Sequence, residues 1–317
     1  MSDVESVAAA ERVDEPSGPS GGRHAAKRAK AAKPRSLAAD AWRDLRRNWV
    51  FWVSAALVLV IVVIAVFPGL FVDNDGKDCA LSRQYGRPEG GAIFGFNFQG
   101  CDIYARAIYG AQPSILVGVG ATLISAVIGA FFGMTSGYFG GWVDAVLSRM
   151  VDIVLAIPLL LAAIVFAKGL NPTREGTGIG TVVIVLGVLN WTTAARVMRS
   201  SVIAAKSQDF VAAARMLGAG PGRIMFRHIL PNSVAPFIVV LTILLGINIA
   251  TEAALSFLGV GLNPNQVSWG GDISHAAIRV QEAATPLVVP SAFLALTVLS
   301  FIMLGDAVRD AFDPRLR

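Results

Sequence analysis

Few side chains in this sequence could do chemistry, and they do not converge. The three histidines, His24, His228 and His275, fall in separate segments. There is no Gly-x-x-x-x-Gly-Lys-Ser/Thr loop for nucleotide phosphates, no His-Glu-x-x-His helix for zinc and no Gly-x-Ser-x-Gly nucleophile elbow. Cys79 and Cys101 share one short polar segment, but that segment has no histidine with which to complete a metal site. The sequence therefore predicts no catalytic residue, and no metal or cofactor bound by this chain. Any work on a solute would draw its energy from a partner or from an ion gradient.

The segment with most interaction chemistry is Gln208-Asp-Phe-Val-Ala-Ala-Ala-Arg-Met-Leu-Gly-Ala-Gly-Pro-Gly-Arg-Ile-Met-Phe-Arg-His-Ile-Leu-Pro-Asn232. Val211 to Leu217 are helix formers, Gly218 supplies a left-handed stop, and Gly220-Pro-Gly222 turns the chain before a second helix begins at Arg223 to His228. Ala212, Ala213 and Ala214 leave a helix surface of little bulk on which another protein can pack. Arg215, Arg223 and Arg227 can pair with that protein's carboxylates. A DNA-binding helix-turn-helix is the rival reading, and it loses because the segment is tethered between two membrane-length apolar runs.

The elements that position this segment follow from composition. Of 317 residues, 54% are hydrophobic and 15% charged, and the mean hydropathy is +0.60, which excludes an ordinary soluble enzyme. The 32 Gly and 15 Pro have no triplet period, and membrane helices tolerate both residues. Residues 48 to 72 carry no charge over 25 positions, more than the roughly 20 needed to cross a hydrocarbon core. Trp49 to about Leu70 is the first expected span. Five more follow: Pro113–Gly137, a helix ending Ile153–Ala167 that carries Asp144, Arg149 and Asp152 in its first turns, Gly176–Ala195, Ile229–Thr251 and Ala283–Gly305. This all-α, six-span membrane protein would have both termini on one side.

Lys and Arg decide which side. The side of the termini carries 20 of the 27, against 7 on the other, so both termini and the 196–232 loop are expected to be cytoplasmic. Residues 1–40 are small, polar and basic (Lys27-Arg-Ala-Lys30, Lys33-Pro-Arg35) and read as a disordered cytoplasmic tail. The first span lies too far from the start for a cleaved signal peptide. Beside a membrane entry the basic run suits anionic lipid better than RNA. Trp42, Leu45 and Trp49 beside Arg43, Arg46 and Arg47 fit an amphipathic lead-in within 41–72. Residues 73–106 form an extracytoplasmic loop, 107–305 a five-helix core, and 306–317 a cytoplasmic tail. Cys79 and Cys101 then sit in an oxidising compartment, where a bridge closing about 22 residues would be worth on the order of 3 kcal/mol; two free thiols are the alternative.

Ala212-Ala-Ala-Arg-Met-Leu-Gly218, followed by Leu230-Pro231, resembles the cytoplasmic "EAA" loop of ABC-importer permeases. Arg227-His-Ile-Leu-Pro-Asn232, Leu255-Ser-Phe-Leu-Gly-Val-Gly261, Ser268-Trp-Gly270, and Arg106 with Ile108-Tyr-Gly110 and Ser114 are similar to the branch that imports di- and oligopeptides or nickel. The resemblance runs from about Gly95 to the end. It implies a type I ABC-importer (MetI-like) permease fold in a bacterial plasma membrane. It also implies a paralogous permease as partner in a heterodimer, two ABC ATPase subunits that use ATP and Mg, and an extracytoplasmic substrate-binding protein. Residues 209 to 222 would be the coupling helix, with Asp209, Ala212, Ala213, Ala214, Arg215, Gly218 and Arg223 docking the ATPase and His228, Leu230 and Pro231 ending the motif. Two departures stand out. Ala212 replaces the family's usual Glu, which removes an ion pair. Cys101 occupies an Arg place in Gly95-Phe-Asn-Phe-Gln-Gly-Cys-Asp102, which supports a lineage-specific bridge.

Three further residues have two readings each. An unpaired charge at membrane depth costs about 2.5 to 3.5 kcal/mol, so Asp152 and Glu252 need partners or water. They are cavity or gate contacts, or else an interfacial residue and a structural hydrogen bond respectively. Trp269 closes an external gate or anchors the interface. Gly129, Gly133 and Gly137 share one helix face for close packing within the subunit or across a permease dimer, and Pro158 and Pro286 bend or begin helices. A gradient-driven transporter is the alternative to the importer, but neither an inverted repeat nor paired interrupted helices is evident.

Overall fold

The computed structural model describes residues 37–170 and 177–312, with side chains from Trp42 onward. The expected tail before Leu37 and the last five residues lie outside the described residues.

The first helix, α1 (Leu37–Arg47), breaks at Asn48, whose side chain accepts from the Val50 amide at 2.9 Å and so starts α2 (Trp49–Val66). After a long loop, the Asp102 carboxylate caps α3 (Ile103–Phe139), accepting from the amides of Tyr104 at 2.9 Å and Ala105 at 3.3 Å. The expected start near Pro113 is therefore ten residues late. Pro113 rides inside α3, as membrane helices allow when neighbouring helices cover the freed carbonyl. At 37 residues α3 is roughly 55 Å long and overruns the hydrocarbon core.

The third expected span is not one helix. α4 (Gly141–Ala156) and α5 (Leu159–Leu170) meet at 88°, because Pro158 forces the residue before it out of the helical region. Ile157 is extended, with φ −86° and ψ 125°. Next come α6 (Ile179–Lys206), the short α7 (Asp209–Met216), the single turn α8 (Pro221–Arg223) and a π-helical turn, Ile224–Ile229. α9 (Leu230–Phe257), α10 (Trp269–Ala277) and α11 (Thr285–Phe312) complete the chain, with Pro286 at the start of α11. Among the described residues, five helices are long and apolar enough to cross a membrane, and six if the bent pair is one broken span.

The seam of the bundle is α3 against α6. A Cβ on Gly133 would lie 2.5 Å from the Ala195 carbonyl oxygen, and one on Gly129 would lie 2.6 Å from the Ala194 Cβ. These glycines serve packing within the subunit, as small residues do where no hydrophobic effect drives helices together. Polar groups then tie the helices: Ser125 donates to the Gly187 carbonyl at 2.9 Å, Asn190 to Asn248 at 2.6 Å, and Asn248 to Thr122 at 2.9 Å. Outward faces carry exposed Leu123, Val127 and Phe131 on α3 and Leu161 and Val165 on α5, where a bilayer stands in place of water.

The described ends meet. Leu45 of α1 packs on Ala311 of α11, with Phe51 and Val308 beside it. Since α2 runs away from this end, the loop before α3 lies at the opposite end of the bundle, and the α6–α9 connection returns to the end where the termini are.

Candidate functional site

At the end of the bundle shared with the termini, α7 is held from one side and bare on the other. Val211 is buried among Met198, Val202, Ile224 and Ile229, while Ala212, Ala213 and Arg215 face outward. Asp209, in the first turn, suits the helix dipole. The helix then stops where the sequence placed the stop. Gly218 has φ +80°, the Ala219 amide reaches the Ala214 carbonyl at 3.0 Å, and the Gly218 amide reaches that of Arg215 at 3.0 Å. The result presents two large apolar side chains at the tip, Met216 at 90% and Leu217 at 88% exposed, with Phe226 at 62% nearby. Composition gave no signal for these three, since exposure of an apolar residue is a property of the fold.

Beyond Gly220 the chain re-enters the bundle through the π turn, so the helix expected at Arg223–His228 forms with a wider turn, its amides reaching five residues back. The Leu230 amide bonds to the Met225 carbonyl, and Pro231 has no amide to restore the usual register. The Asn232 side chain donates instead to the His228 carbonyl at 2.7 Å, and Ser233 to that of Ile229 at 3.0 Å. On the other flank the Lys206 ammonium donates to the Tyr138 carbonyl at 2.5 Å. Arg223 is exposed, and His228 and Leu230 are half-buried.

Above this end, charges are paired. Asp144 accepts two bonds from Arg199 at 2.6 Å, and further bonds from Ser136 and Ser148, which locks α4 to α3 and α6. Asp152, half-exposed, accepts from Arg196 at 2.8 Å. Asp152, Arg196 and Arg199 border a cavity of about 340 Å³ that Phe132, Val151 and Ala195 also line. Glu252 is wholly buried and accepts from Ser114 at 3.0 Å and Ser256 at 2.8 Å. Trp269 is also wholly buried, its indole donating to the Ala107 carbonyl at 2.8 Å. The geometry of both is that of pegs between α3, α9 and α10.

At the opposite end a disulfide joins Cys79 to Cys101. The Asn97 side chain accepts from the amides of Gln99 at 2.9 Å and Cys101 at 3.0 Å, and Cys101 leads directly into the Asp102 cap. This stapled loop and the first turn of α3 are fastened to α10 and the turn after it. Arg106 donates to Asp272 through Nε at 2.9 Å and Nη2 at 2.5 Å, Tyr85 donates to Glu282, and Arg279 lies over the Phe98 ring at 4.2 Å. Burial pushes the Asp272 carboxyl up, and the Arg106 charge beside it pulls the other way. The Arg106–Asp272 pair was invisible in the sequence because 166 residues separate its members. Asp75, Lys77, Tyr109, Gln112, Asn263 and Asn265 line a polar mouth of about 400 Å³ at this end. Among the described residues no group of three His, Cys, Asp or Glu could hold a metal.

The chain is similar to known proteins. Residues 129–317 match the family described as binding-protein-dependent transport system inner membrane component, and residues 36–83 match the N-terminal transmembrane domain of oligopeptide transport permease C. The dipeptide transport system permease protein of Alkalihalophilus pseudofirmus is 34% identical over 88% of this chain and 90% of its own. The oligopeptide transport system permease protein of Bacillus subtilis is 33% identical over 90% and 92%, and the glutathione transport system permease protein of Escherichia coli is 34% identical over 87% and 90%. In fold, a structure of inward-facing conformations of the MetNI methionine ABC transporter superposes with a TM-score of 0.51 at 20% identity, covering 65% of this chain and 96% of that one. The family match over residues 129–317 and this breadth of identity make the chain a member of the binding-protein-dependent transport system inner-membrane permease family.

Proposed function

We propose that this chain is one permease of an ATP-driven importer of di- and oligopeptides. A paralogous permease completes the pathway, two ATPase subunits bind ATP and Mg beneath it, and a substrate-binding protein delivers the peptide on the other side. The termini and α7 are cytoplasmic, in line with the excess of Lys and Arg at that end. α7 is the coupling helix, and the observation that carries the reading is its build: an exposed apolar tip, Met216 and Leu217, on a helix keyed into the bundle by Val211, Ile224 and Ile229. Such a tip fits a groove on the ATPase, with Arg215 and Arg223 free to meet carboxylates at its rim. Ala212 carries no carboxylate, which leaves docking to packing and to these arginines.

When the ATPases close on nucleotide, a stiffly attached α7 must move with them and carry α9 along, which biases two packings of the bundle close in energy. The peptide assignment is supported by the dipeptide, oligopeptide and glutathione relatives. It also suits a mouth where the amides of Gln112, Asn263 and Asn265 and the Tyr109 hydroxyl stand beside Asp75 and Lys77, groups that pair with a peptide's backbone and charged ends.

The test is reconstitution of the whole importer. Leu217→Asp, Arg215→Glu and Gly218→Pro should leave membrane insertion intact and reduce both ATPase retention and peptide uptake at least tenfold: the first puts a charge into an apolar contact, the second reverses the charge that meets carboxylates, and the third cannot adopt the positive φ of the helix stop. Uptake equal to wild type in all three variants would refute the docking role.

A further inference from the structure

We propose that α1 is a binding surface for anionic phospholipid headgroups. The helix is joined to the membrane-entering α2 by the single residue Asn48, so its last turn is held beside the membrane entry. Its roll about its own axis is fixed as well: Leu45, 7% exposed, is wedged against Ala311 and Val308 of α11, and the Trp52 indole donates to the Arg46 carbonyl at 3.2 Å. With Leu45 turned to the protein, Arg43, Arg46 and Arg47 are all exposed. They stand at positions i, i+3 and i+4 and so share one face.

Aromatic residues complete the arrangement. Trp42, Trp49 and Trp52 are 46%, 71% and 53% exposed, at the depth where indoles settle among headgroups, and Arg46 lies over the Trp42 ring at 5.0 Å. Charge selects the occupant. Against Asp40 and Asp44 in α1 stand its three arginines and, just upstream in the sequence, Lys27, Arg28, Lys30, Lys33 and Arg35. Three positive charges on one exposed face beside indoles at a membrane entry suit the phosphate of an acidic lipid in sign. A soluble acidic protein would have to displace headgroups to reach the same face. The importer reading is not needed for this conclusion.

The experiment is native mass spectrometry of the full chain released from bilayers of phosphatidylcholine and phosphatidylglycerol. Wild type should retain phosphatidylglycerol over phosphatidylcholine, and R43Q/R46Q/R47Q should lose that preference by on the order of tenfold. R43K/R46K/R47K should keep it, because the charge remains. Equal retention of the two lipids by wild type would overturn the proposal, as would undiminished enrichment in the glutamine variant. Loss in both the glutamine and lysine variants would mark the arginines as merely structural and also overturn it. Neutralising Lys27, Arg28, Lys30, Lys33 and Arg35 separates the upstream run. If that variant alone abolished the preference, α1 would not be the receptor.

Discussion

Glu252 shows how a single residue decides between chemistry and architecture. Its hydrogen-bond partners are the hydroxyls of Ser114 on α3 and Ser256 on its own helix, and Ser256 in turn accepts from the Leu262 amide at 3.2 Å. The side chain thus pins the α9–α10 connection to α3. Glu252→Gln keeps an acceptor and a similar shape, and near wild-type thermal stability in detergent is the expected result. Glu252→Ala strips two buried hydroxyls of their common partner, and a loss of about 1 to 3 kcal/mol is expected; equal unfolding midpoints for the two variants would contradict this account. The two cysteines belong to the same scale. The bridge should block thiol labelling of Cys79 and Cys101 until reductant is added, and full labelling beforehand would dismiss it. Both cysteines were legible as partners because they are the chain's only two and share one loop. What Glu252 needed, by contrast, was a serine 138 residues away.

Among the elements, α3 and α6 carry the bundle through side chains that are absent. Gly133→Ala would press a methyl group to 2.5 Å from the Ala195 carbonyl oxygen and 2.7 Å from the Met198 Cβ. Since neither neighbour is the free end of a flexible chain, a destabilisation of about 1 to 3 kcal/mol and a lower yield of folded protein are expected. Gly180, near the start of α6, has nothing within 4 Å of its would-be Cβ. Gly180→Ala is therefore expected to be neutral or to stabilise by up to about 1 kcal/mol, and comparing the two thermal unfolding midpoints checks the argument. The small-residue spacing was readable in the sequence, but the partner helix was not. Pro158 likewise announced a bend, yet an angle of 88° between α4 and α5 depends on what each half packs against. The early start of α3 at Asp102 had a signal, a capping aspartate, which the more conspicuous Pro113 obscured.

At the scale of the whole molecule, two ends of one bundle carry different duties. One end holds α1, the close of α11 and the bare tip of α7; the other holds the stapled loop, α10 and the polar mouth. This arrangement has a direct consequence for topology. Single cysteines placed at 216 and at 310 in a chain with Cys79 and Cys101 replaced by serine should react with a membrane-impermeant reagent only from the cytoplasmic side, and one placed at 93 only from the other. Reaction of position 216 and position 93 from the same side would invalidate the layout. The proposed coupling role of α7, packed on the turn that leads into α9, makes a second prediction. Ile224→Ala, at a residue 1% exposed beneath α7, should remove packing worth about 2 to 4 kcal/mol. In the reconstituted complex it should lower the uptake gained per ATP hydrolysed while the ATPases remain bound; an unchanged ratio would count against a stiff link.

The sequence by itself indicated an apolar solvent, the apolar runs, a short helix that stops at Gly218 and two cysteines placed where they could pair. Each of these follows from local composition: length without charge, helix formers before a glycine stop, two cysteines in one loop. Only the tertiary structure decided that Met216 and Leu217 are bare, that Arg106 faces Asp272, that Asn190, Asn248 and Thr122 form one polar string, and that Leu45 fixes the roll of α1. Those facts depend on which distant segments become neighbours. In a membrane, where the hydrophobic effect no longer distinguishes one apolar helix face from another, close packing and a few buried hydrogen bonds make that choice.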